Sequence, residues 1–239
     1  MFLLPSVLSQ TYVFPSQRAQ IETSVAINPT NPKNIIATAI TQSTSSDNRI
    51  GIYYSLDQGL SWNGTDDVTG PGSGDPVIDF DPDGGAYLLY QKRNDGKLYI
   101  KKSNDGGLNW TAPIMVANLG QNNFDKPWLA ISPIRNENGK FNIYVSVTSF
   151  LTVNNATTTD PIPSDIVVYR SKDGASTFQS PYKELHSSYY LQGSSVAIGP
   201  NGEVYLAWAD LGTIVPETKR IHIKRSTDEA NSFSEEHIV

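Results

Sequence analysis

One eight-residue phrase occurs four times along the chain, and this repetition limits the possible folds more than any other feature of the sequence. The copies are Ser55–Trp62, Ser103–Trp110, Ser171–Phe178 and Ser226–Phe233. Successive copies begin roughly 50 to 70 residues apart, a spacing typical of propeller blades and solenoid turns. The chain is therefore expected to consist of four similar structural units.

Each copy of the phrase is predicted to form a tight turn rather than an active site. The serine at its first position and the aspartate at its third accept backbone N–H groups, and the glycine at its fifth position, Gly59 or Gly107, permits a left-handed backbone. The third and fourth copies have Ala175 and Ala230 there, which predicts a strained turn that costs about 1 kcal/mol. The residues with this structural role are Ser55, Asp57, Gly59, Trp62, Ser103, Asp105, Gly107, Trp110, Ser171, Asp173, Phe178, Ser226, Asp228 and Phe233.

Apolar segments separated by turn residues surround each copy and predict four strands per unit. In the second unit, Pro76–Pro82, Ala86–Tyr90 and Leu98–Lys101 are predicted strands that precede the repeated phrase, and a fourth strand follows it. Four antiparallel four-stranded sheets in series indicate an all-β fold, a β-propeller. The predicted blades span about 21–73, 74–124, 125–191 and 192–239, after an N-terminal segment, 1–20.

The repeated phrase resembles the Ser-x-Asp-x-Gly-x-Thr-Trp signature of the Asp-box, or BNR-repeat, propellers of the sialidase-like superfamily. The match is close in Ser55–Trp62 and Ser103–Trp110 and partial in the other two copies. The resemblance implies six blades, so we expect the four visible blades to belong to a six-bladed or larger propeller that is truncated at the C-terminus. It also implies that the repeated turns stand away from the usual active site.

Composition restricts the partners and the compartment. The 239 residues carry a net charge of −6 and no cysteine, which disfavours nucleic acid and anionic membranes as partners and excludes a disulfide framework. No apolar run is long enough for a membrane-spanning helix. Met1–Leu8 is either the remnant of a secretory signal or part of a terminal strand, with Thr11–Phe14, that closes the last blade or packs on the first. We expect a secreted, extracellular or periplasmic protein, which forms an oligomer only if the chain is complete as given.

The candidate binding residues lie on the predicted face opposite the repeated turns. Polar residues that enter the first strand of each blade form an inner ring, and polar residues that leave the second strand form an outer ring. The inner ring consists of Glu22, Asp75, Asp125 with Lys126, and Gln192, and the outer ring of Gln42, Gln91, Arg93, Ser149 and Asp210. The insertion Phe150–Asp165 projects from the same face. Tyr189 and Tyr190 either offer an aromatic platform to a sugar ring or pack beneath a loop.

Two functions fit this arrangement. The first is a binding or scaffold module for glycans or extracellular proteins, because Ile21–Ser24 replaces the family's arginine motif and the three arginines that clamp the substrate carboxylate in sialidases are not visible. The alternative is a glycoside hydrolase of exo-sialidase type whose missing catalytic residues lie beyond Val239. Asp75 and Asp125 begin neighbouring inner strands and are the candidate carboxylate pair for glycoside hydrolysis.

No cofactor is expected, and calcium is the one metal that the sequence leaves open. Asp79, Asp81 and Asp83, followed by Gly84, have the spacing of a calcium-binding loop. Tyr90, however, occupies the place of the bidentate glutamate. The alternative interpretation is a plain hairpin turn.

Overall fold

The protein consists of four antiparallel sheets that follow one another along the chain. The computed structural model describes residues 13–44, 46–118, 120, 124–150, 163–186, 190–212 and 220–238. We number the sheets as blades 1 to 4, each with four strands. Blades 1 and 2 contain β1 (Ala19–Ile27), β2 (Ile35–Gln42), β3 (Asn48–Ser55), β4 (Asn63–Thr65), β5 (Ser73–Phe80), β6 (Ala86–Lys92), β7 (Lys97–Ser103) and β8 (Ile114–Asn118). Blades 3 and 4 contain β9 (Phe124–Arg135), β10 (Phe141–Phe150), β11 (Ser164–Ser171), β12 (Gln179–His186), β13 (Leu191–Ile198), β14 (Val204–Asp210), β15 (Arg220–Ser226) and β16 (His237–Ile238).

Each blade is a meander whose strands pair in chain order. The first strands lie side by side around a common axis, because β1 contacts β5, β5 contacts β9 and β9 contacts β13. The connections from first to second and from third to fourth strands lie on one face, the turn face. The connections from second to third strands lie on the opposite face, the mouth face. The predicted all-β propeller of four-stranded antiparallel blades is confirmed, and its extension to six or more blades stays a prediction.

Apolar side chains fill the layers between adjacent blades. In β6, Leu88 and Tyr90 pack towards blade 1, whereas Tyr87 and Leu89 pack towards blade 3. Because both faces of this sheet are buried, β6 is apolar along most of its length instead of alternating between apolar and polar residues. Trp208 is almost fully buried in the layer between blades 3 and 4. This packing fixes the first strands around the axis.

The four repeated phrases form turns, here called the repeat turns, with one hydrogen-bonding scheme. In the second copy, the Ser103 hydroxyl donates to Asp105 (Oγ–Oδ1 2.8 Å) and accepts the Gly107 N–H (3.0 Å). Asp105 also accepts the backbone N–H and the side-chain amide of Asn109 (2.9 and 2.7 Å), and these bonds lower the pKa of Asp105. The corresponding serines and aspartates make equivalent bonds in the other three copies. All four aspartates are thus engaged within their own turns.

The fifth residue of every repeat turn has a left-handed backbone. Its φ angle is 86° at Gly59, 96° at Gly107, 73° at Ala175 and 65° at Ala230. Both alanines are fully buried, so the packing of their methyl groups offsets part of the backbone strain. The aromatic residues that end the last three phrases pack against the layers between blades; they are Trp110, Phe178 and Phe233.

Some predicted features fall outside the described residues. These are Met1–Leu8, most of the Phe150–Asp165 insertion, and Tyr189, so their interpretations stay predictions. Within the described part of the chain, no helix has the length and apolar character needed to cross a membrane.

Candidate functional site

A bulge interrupts the first strand of every blade on the mouth face. Each first strand contains one residue more than the second strand paired with it at this point. One residue of each bulge has a left-handed backbone: Glu22 (φ 51°), Asp75 (46°), Lys126 (48°) and Gly193 (65°). Glycine adopts this conformation without strain, whereas other residues are destabilised by about 1 kcal/mol or more. Three charged residues therefore occupy positions that favour glycine.

The first strands of blades 1, 2 and 3 enclose an axial cavity of about 520 Å³. Glu22, Asp75 and Lys126 lie at its mouth. Trp128 lines its wall and is 47% exposed, although it lies on an inner strand. Asp79 lies further along β5 and lines the same cavity. The volume is in the range of about 300–1,000 Å³ typical of small-molecule sites, so the cavity has room for a ligand of one or a few sugar rings.

Three carboxyl groups meet at the mouth, with Asp75 between the other two. The Asp75 side chain is only 4% exposed, and the Gln91 amide donates a hydrogen bond to Asp75 Oδ2. Burial, reinforced by the neighbouring carboxyls of Glu22 and Asp125, raises the pKa of Asp75 to about 8. Asp75 therefore carries a proton at neutral pH.

Glu22 is the ionised member of the cluster that borders the cavity. A hydrogen bond from Asp75 lowers the pKa of Glu22, and the charges of Lys126 and Arg93 act in the same direction. Asp75 Oδ1 is buried, and the hydrogen bond between Asp75 and Glu22 places the proton of Asp75 between the two carboxyl groups. The mouth thus holds a proton donor and a carboxylate side by side.

Two cations flank these carboxyl groups. Arg93 follows β6 in a short 3-10 helix and places Nη2 3.7 Å from Asp75 Oδ2. Lys126 places Nζ 3.5 Å from Glu22 Oε2. The Arg93 and Lys126 side chains are 55% and 52% exposed. Both cations are therefore held near the carboxyl groups and remain open to solvent.

The structure shifts the predicted alignment of the inner ring in blades 3 and 4. Of the predicted pair Asp125 and Lys126 in blade 3, Lys126 is the counterpart of Asp75 at the bulge, and in blade 4 the counterpart is Gly193 rather than Gln192. Gln192 donates to Asp125 (Nε2–Oδ2 2.9 Å). The predicted carboxylate pair, Asp75 and Asp125, is in direct contact, whereas glycosidases place their two carboxyl groups about 5–10 Å apart. These two residues therefore lack the separation of the common two-carboxylate scheme.

Only some residues of the predicted outer ring lie close to the carboxyl cluster at the mouth. Among its described members, Gln91 and Arg93 reach the carboxyl cluster, whereas Asp210 makes its contacts within blade 4. Tyr190 stacks on Phe150 with ring centroids 5.8 Å apart. One face of the Tyr190 ring is thus used in packing between connections of the mouth face.

The geometry of the β5–β6 turn does not support the calcium prediction. Asp79 lines the axial cavity, where burial raises the pKa of Asp79 to about 6. Asp81 accepts the N–H groups of Asp83 and Gly85 within the turn (3.0 and 2.8 Å), and Asp83 binds Arg135. The three carboxyl groups therefore have different partners. Across the described residues, no group of three or more acidic or histidine side chains is placed to hold a metal ion.

Trp128 is the site residue that sequence reasoning missed, and Asp79 was considered only as a calcium ligand. The bulge at Lys126 shifts the alternation of β9, and Trp128 then lines the cavity. A sequence signal was present, because Pro76 and Pro127 directly follow the left-handed residues of their strands. Proline within a strand marks an edge or a bulge.

No protein-family model matches the chain, and no curated protein matches its sequence. Solved structures do share its fold. An α-L-arabinofuranosidase from Fusarium graminearum, in complex with an iminosugar inhibitor, matches with a TM-score of 0.65 and 13% identity over 94% of this chain and 68% of that chain. An α-L-arabinanase from Penicillium chrysogenum, complexed with arabinobiose, matches with a TM-score of 0.62 and 16% identity over 94% and 69%.

A more distant match is the leech intramolecular trans-sialidase, with a TM-score of 0.52 and 17% identity over 84% of this chain and 30% of that chain. The chain thus has the fold of β-propeller glycosidases. At these identities the likeness is one of fold.

Proposed function

We propose that the protein is a carbohydrate-active propeller that binds a glycan in the axial cavity through its mouth face. The observation that carries the proposal is the convergence of Glu22, Asp75 and Lys126 on one cavity that also exposes Trp128. An aromatic wall beside a few polar groups suits a sugar, which has apolar ring faces and hydroxyl edges. The repeat turns further support the assignment of the chain to the Asp-box propellers. This assignment in turn supports a secreted protein.

An unused polar atom at the mouth supports the same proposal. Gln91 Oε1 is buried and has no hydrogen-bond partner among the described residues. Buried polar atoms without partners are unfavourable by about 1–3 kcal/mol each. A sugar hydroxyl that reaches the mouth has both a donor and two acceptor sites for such atoms.

Binding is tested by titrating arabinobiose, xylotriose and 3′-sialyllactose, followed by a glycan array, with the wild-type protein. We expect Trp128→Ala to weaken the affinity for the best glycan at least about tenfold, because the sugar loses its stacking surface. Tyr205→Ala is the matched control, since Tyr205 is 38% exposed and lies outside the cavity. Equal losses in both variants, or no glycan binding by the wild type, would contradict the proposal.

Glycoside hydrolysis is the second candidate, and the protonation of Asp75 favours it. Glycosidases need an acid that keeps its proton at neutral pH and a carboxylate that does not. Asp75, with its pKa raised to about 8, and Glu22, with its pKa lowered, meet this requirement. Asp75 and Glu22 share a hydrogen bond and so also lack the separation of the two-carboxylate scheme. Asp75 is therefore proposed as the proton donor to the departing glycosidic oxygen, and Glu22 as the group that stabilises positive charge on the sugar, which a water molecule then attacks.

Turnover of 4-nitrophenyl glycosides and of a fluorogenic sialoside separates binding from catalysis. We expect Asp75→Asn to lower kcat by about 100-fold or more, while the affinity for the same glycan changes by only a few fold. The wild-type rate is expected to fall above about pH 8, as Asp75 loses its proton. If the wild type bound a glycan without hydrolysing it, the hydrolase proposal would be rejected and the protein would be a binding module.

A further inference from the structure

We infer that a second, separate binding site lies on the turn face, in a cleft between blades 3 and 4 that suits one neutral sugar unit. The cleft has a volume of about 350 Å³, at the small end of the range typical of small-molecule sites. Its walls are the β9–β10 turn, the β13–β14 turn and the fourth repeat turn. The cleft opens on the face opposite the mouth, so the inference does not depend on the proposed function.

The junction between blades 3 and 4 differs from the corresponding junction between blades 1 and 2. The fourth residue of the second repeat turn is Gly106, whose carbonyl accepts the Asn34 amide directly (2.9 Å). The fourth residue of the fourth repeat turn is Glu229. Its backbone is left-handed (φ 59°), a conformation that favours glycine, and its Oε1 accepts the amide of Asn142 (3.0 Å). A charged side chain thus lies between the two blades at a position that favours glycine, and it lines the cleft.

Each charged residue in the walls of the cleft already has an opposite charge beside it. The pairs are Arg135 with Asp83, Arg225 with Glu203, and Lys172 with Glu229. Hydrogen bonds from Asn201 lower the pKa of Glu203. Burial acts in the opposite direction on Glu229, but hydrogen bonds from Lys172 and Asn142 lower its pKa. Because both carboxyl groups are ionised and paired, a charged ligand would have to displace a partner, whereas a neutral ligand would not.

The cleft still offers hydrogen-bond donors to a ligand. Tyr144 lines the cleft and is only 1% exposed. Its hydroxyl oxygen accepts the Asn142 amide (3.3 Å), and its O–H donates to no group in the described part of the chain. Burial raises the pKa of Tyr144, so the O–H stays a donor. Arg225 uses one N–H of its guanidinium on Glu203 and is 48% exposed, which leaves further N–H groups for a ligand.

Acceptors and an apolar surface complete the walls. Each ionised carboxylate has about four acceptor sites, and those of Glu203 and Glu229 border the same cleft as the two donors. Ile134 is 46% exposed and packs beside Gly202 in the wall. A sugar combines hydroxyl groups that donate and accept with apolar C–H surfaces, and so matches this set. An extended peptide instead pairs with a free strand edge, and this cleft is bordered by turns.

The test is a titration of the ¹⁵N-labelled wild-type protein with arabinose, xylose, glucose and galactose. Glucosamine and glucuronic acid are the charged comparators, at about pH 6, where the first is a cation and the second an anion. We expect at least one neutral sugar to shift the amide signals of Asn136, Gly202 and Thr227, with an affinity in about the millimolar range. Both charged sugars should bind at the cleft at least about threefold more weakly than glucose.

Two variants with matched controls locate the binding. Thr227→Trp should weaken it at least about tenfold by filling the cleft, because Thr227 is exposed in its wall. Asn104→Trp is its control, since Asn104 is exposed at the same position of the second repeat turn and lies outside the cleft. Tyr144→Phe should weaken binding about two- to tenfold. Its control is Tyr87→Phe, because the Tyr87 hydroxyl is bonded to Asp81 (3.0 Å) outside the cleft.

The outcomes separate this inference from the proposed function. Trp128→Ala should leave the shifts at the cleft unchanged, since Trp128 lines only the axial cavity. The inference would be overturned if none of the four neutral sugars shifted these signals, or if a charged sugar bound the cleft more tightly than glucose. Equal losses in Thr227→Trp and Asn104→Trp would also overturn it. Thermal melting of each variant ensures that a loss of affinity is not a loss of fold.

Discussion

The two faces of the propeller both contain residues with left-handed backbones, but they compensate the strain in different ways. On the turn face, Ala175 has a φ of 73°, and its N–H is bonded to the Ser171 hydroxyl (2.9 Å) while its methyl group is fully buried. On the mouth face, Lys126 has a φ of 48° and a side chain that is 52% exposed. The strain at Lys126 is therefore not offset by packing of its own side chain.

This difference separates structural strain from strain associated with a site. The repeat turns engage their own hydroxyl and carboxylate groups internally, so little remains to bind anything else. At the mouth, strained residues direct charged side chains towards a cavity. Strain that persists without local compensation is typical of functional sites. The comparison predicts opposite effects of substitutions on the two faces.

The largest effect is expected from Asp75→Asn on the pH dependence of stability. Asp75 releases its proton near pH 4 in the unfolded chain and near pH 8 in the folded protein. Between these values the folded state binds more protons, so the free energy of unfolding falls as pH rises, by at most about 1.4 kcal/mol per pH unit. The asparagine variant should lose most of this slope and be more stable than wild type at pH 8.

Urea unfolding at pH 5, 6, 7 and 8 measures this slope. Asp79→Asn is the matched comparison, because the pKa of Asp79 is raised only to about 6 and its contribution should be complete by that pH. Glu22 does not interfere, since its pKa is lowered and its effect lies in the acid range. If the free energy of unfolding changed with pH in the same way for wild type and for Asp75→Asn, Asp75 would not be protonated in the folded protein.

On the turn face, Ser103→Ala should destabilise the protein by about 2 kcal/mol. The substitution leaves the buried Gly107 N–H without its acceptor and removes a donor to Asp105. Glycan affinity should not change. The measurement is the denaturation midpoint, with the exposed Ser46→Ala as control. If Ser103→Ala lowered glycan affinity in the folded protein, the division between the two faces would be wrong.

A smaller effect is expected from exchanging side chains at the bulges. Lys126→Gly should stabilise the fold by about 1 kcal/mol, because it relieves backbone strain at an exposed position. Gly193→Ala should destabilise it by a similar amount, since a Cβ there meets no atom within 4 Å and only backbone strain is added. Stabilities that change in the same direction would contradict the strain argument.

The smallest effect is expected from Ala175→Gly. Relief of about 1 kcal/mol of strain is offset by the loss of a buried methyl group, which contributes about 0.8 kcal/mol. The stability should stay within about 0.5 kcal/mol of wild type. Thermal melting is sufficient to detect a larger change in stability. If the variant were more stable than wild type by much more than about 0.5 kcal/mol, the packing of the Ala175 methyl group would not offset the backbone strain of the turn.

The sequence was sufficient to predict the blades and the repeat turns, but it was sufficient to predict only part of the site. Turn geometry and strand order depend on local residue types, so the repeated phrase and the segments around it were sufficient to predict them. The site depends on bulges, and one added residue redirects the following side chains. The exposure of Trp128 and the position of Gly193 in place of Gln192 were for this reason not visible in the pattern.

The bulge position has a consequence for how such a propeller diversifies. One backbone conformation accommodates glutamate, aspartate, lysine and glycine at Glu22, Asp75, Lys126 and Gly193. Each exchange is expected to change stability by only about 1 kcal/mol through the backbone, a small fraction of the stability of a domain. Mutation at these four positions can therefore alter the chemistry of the cavity one blade at a time, while the sheets and the repeat turns stay unchanged.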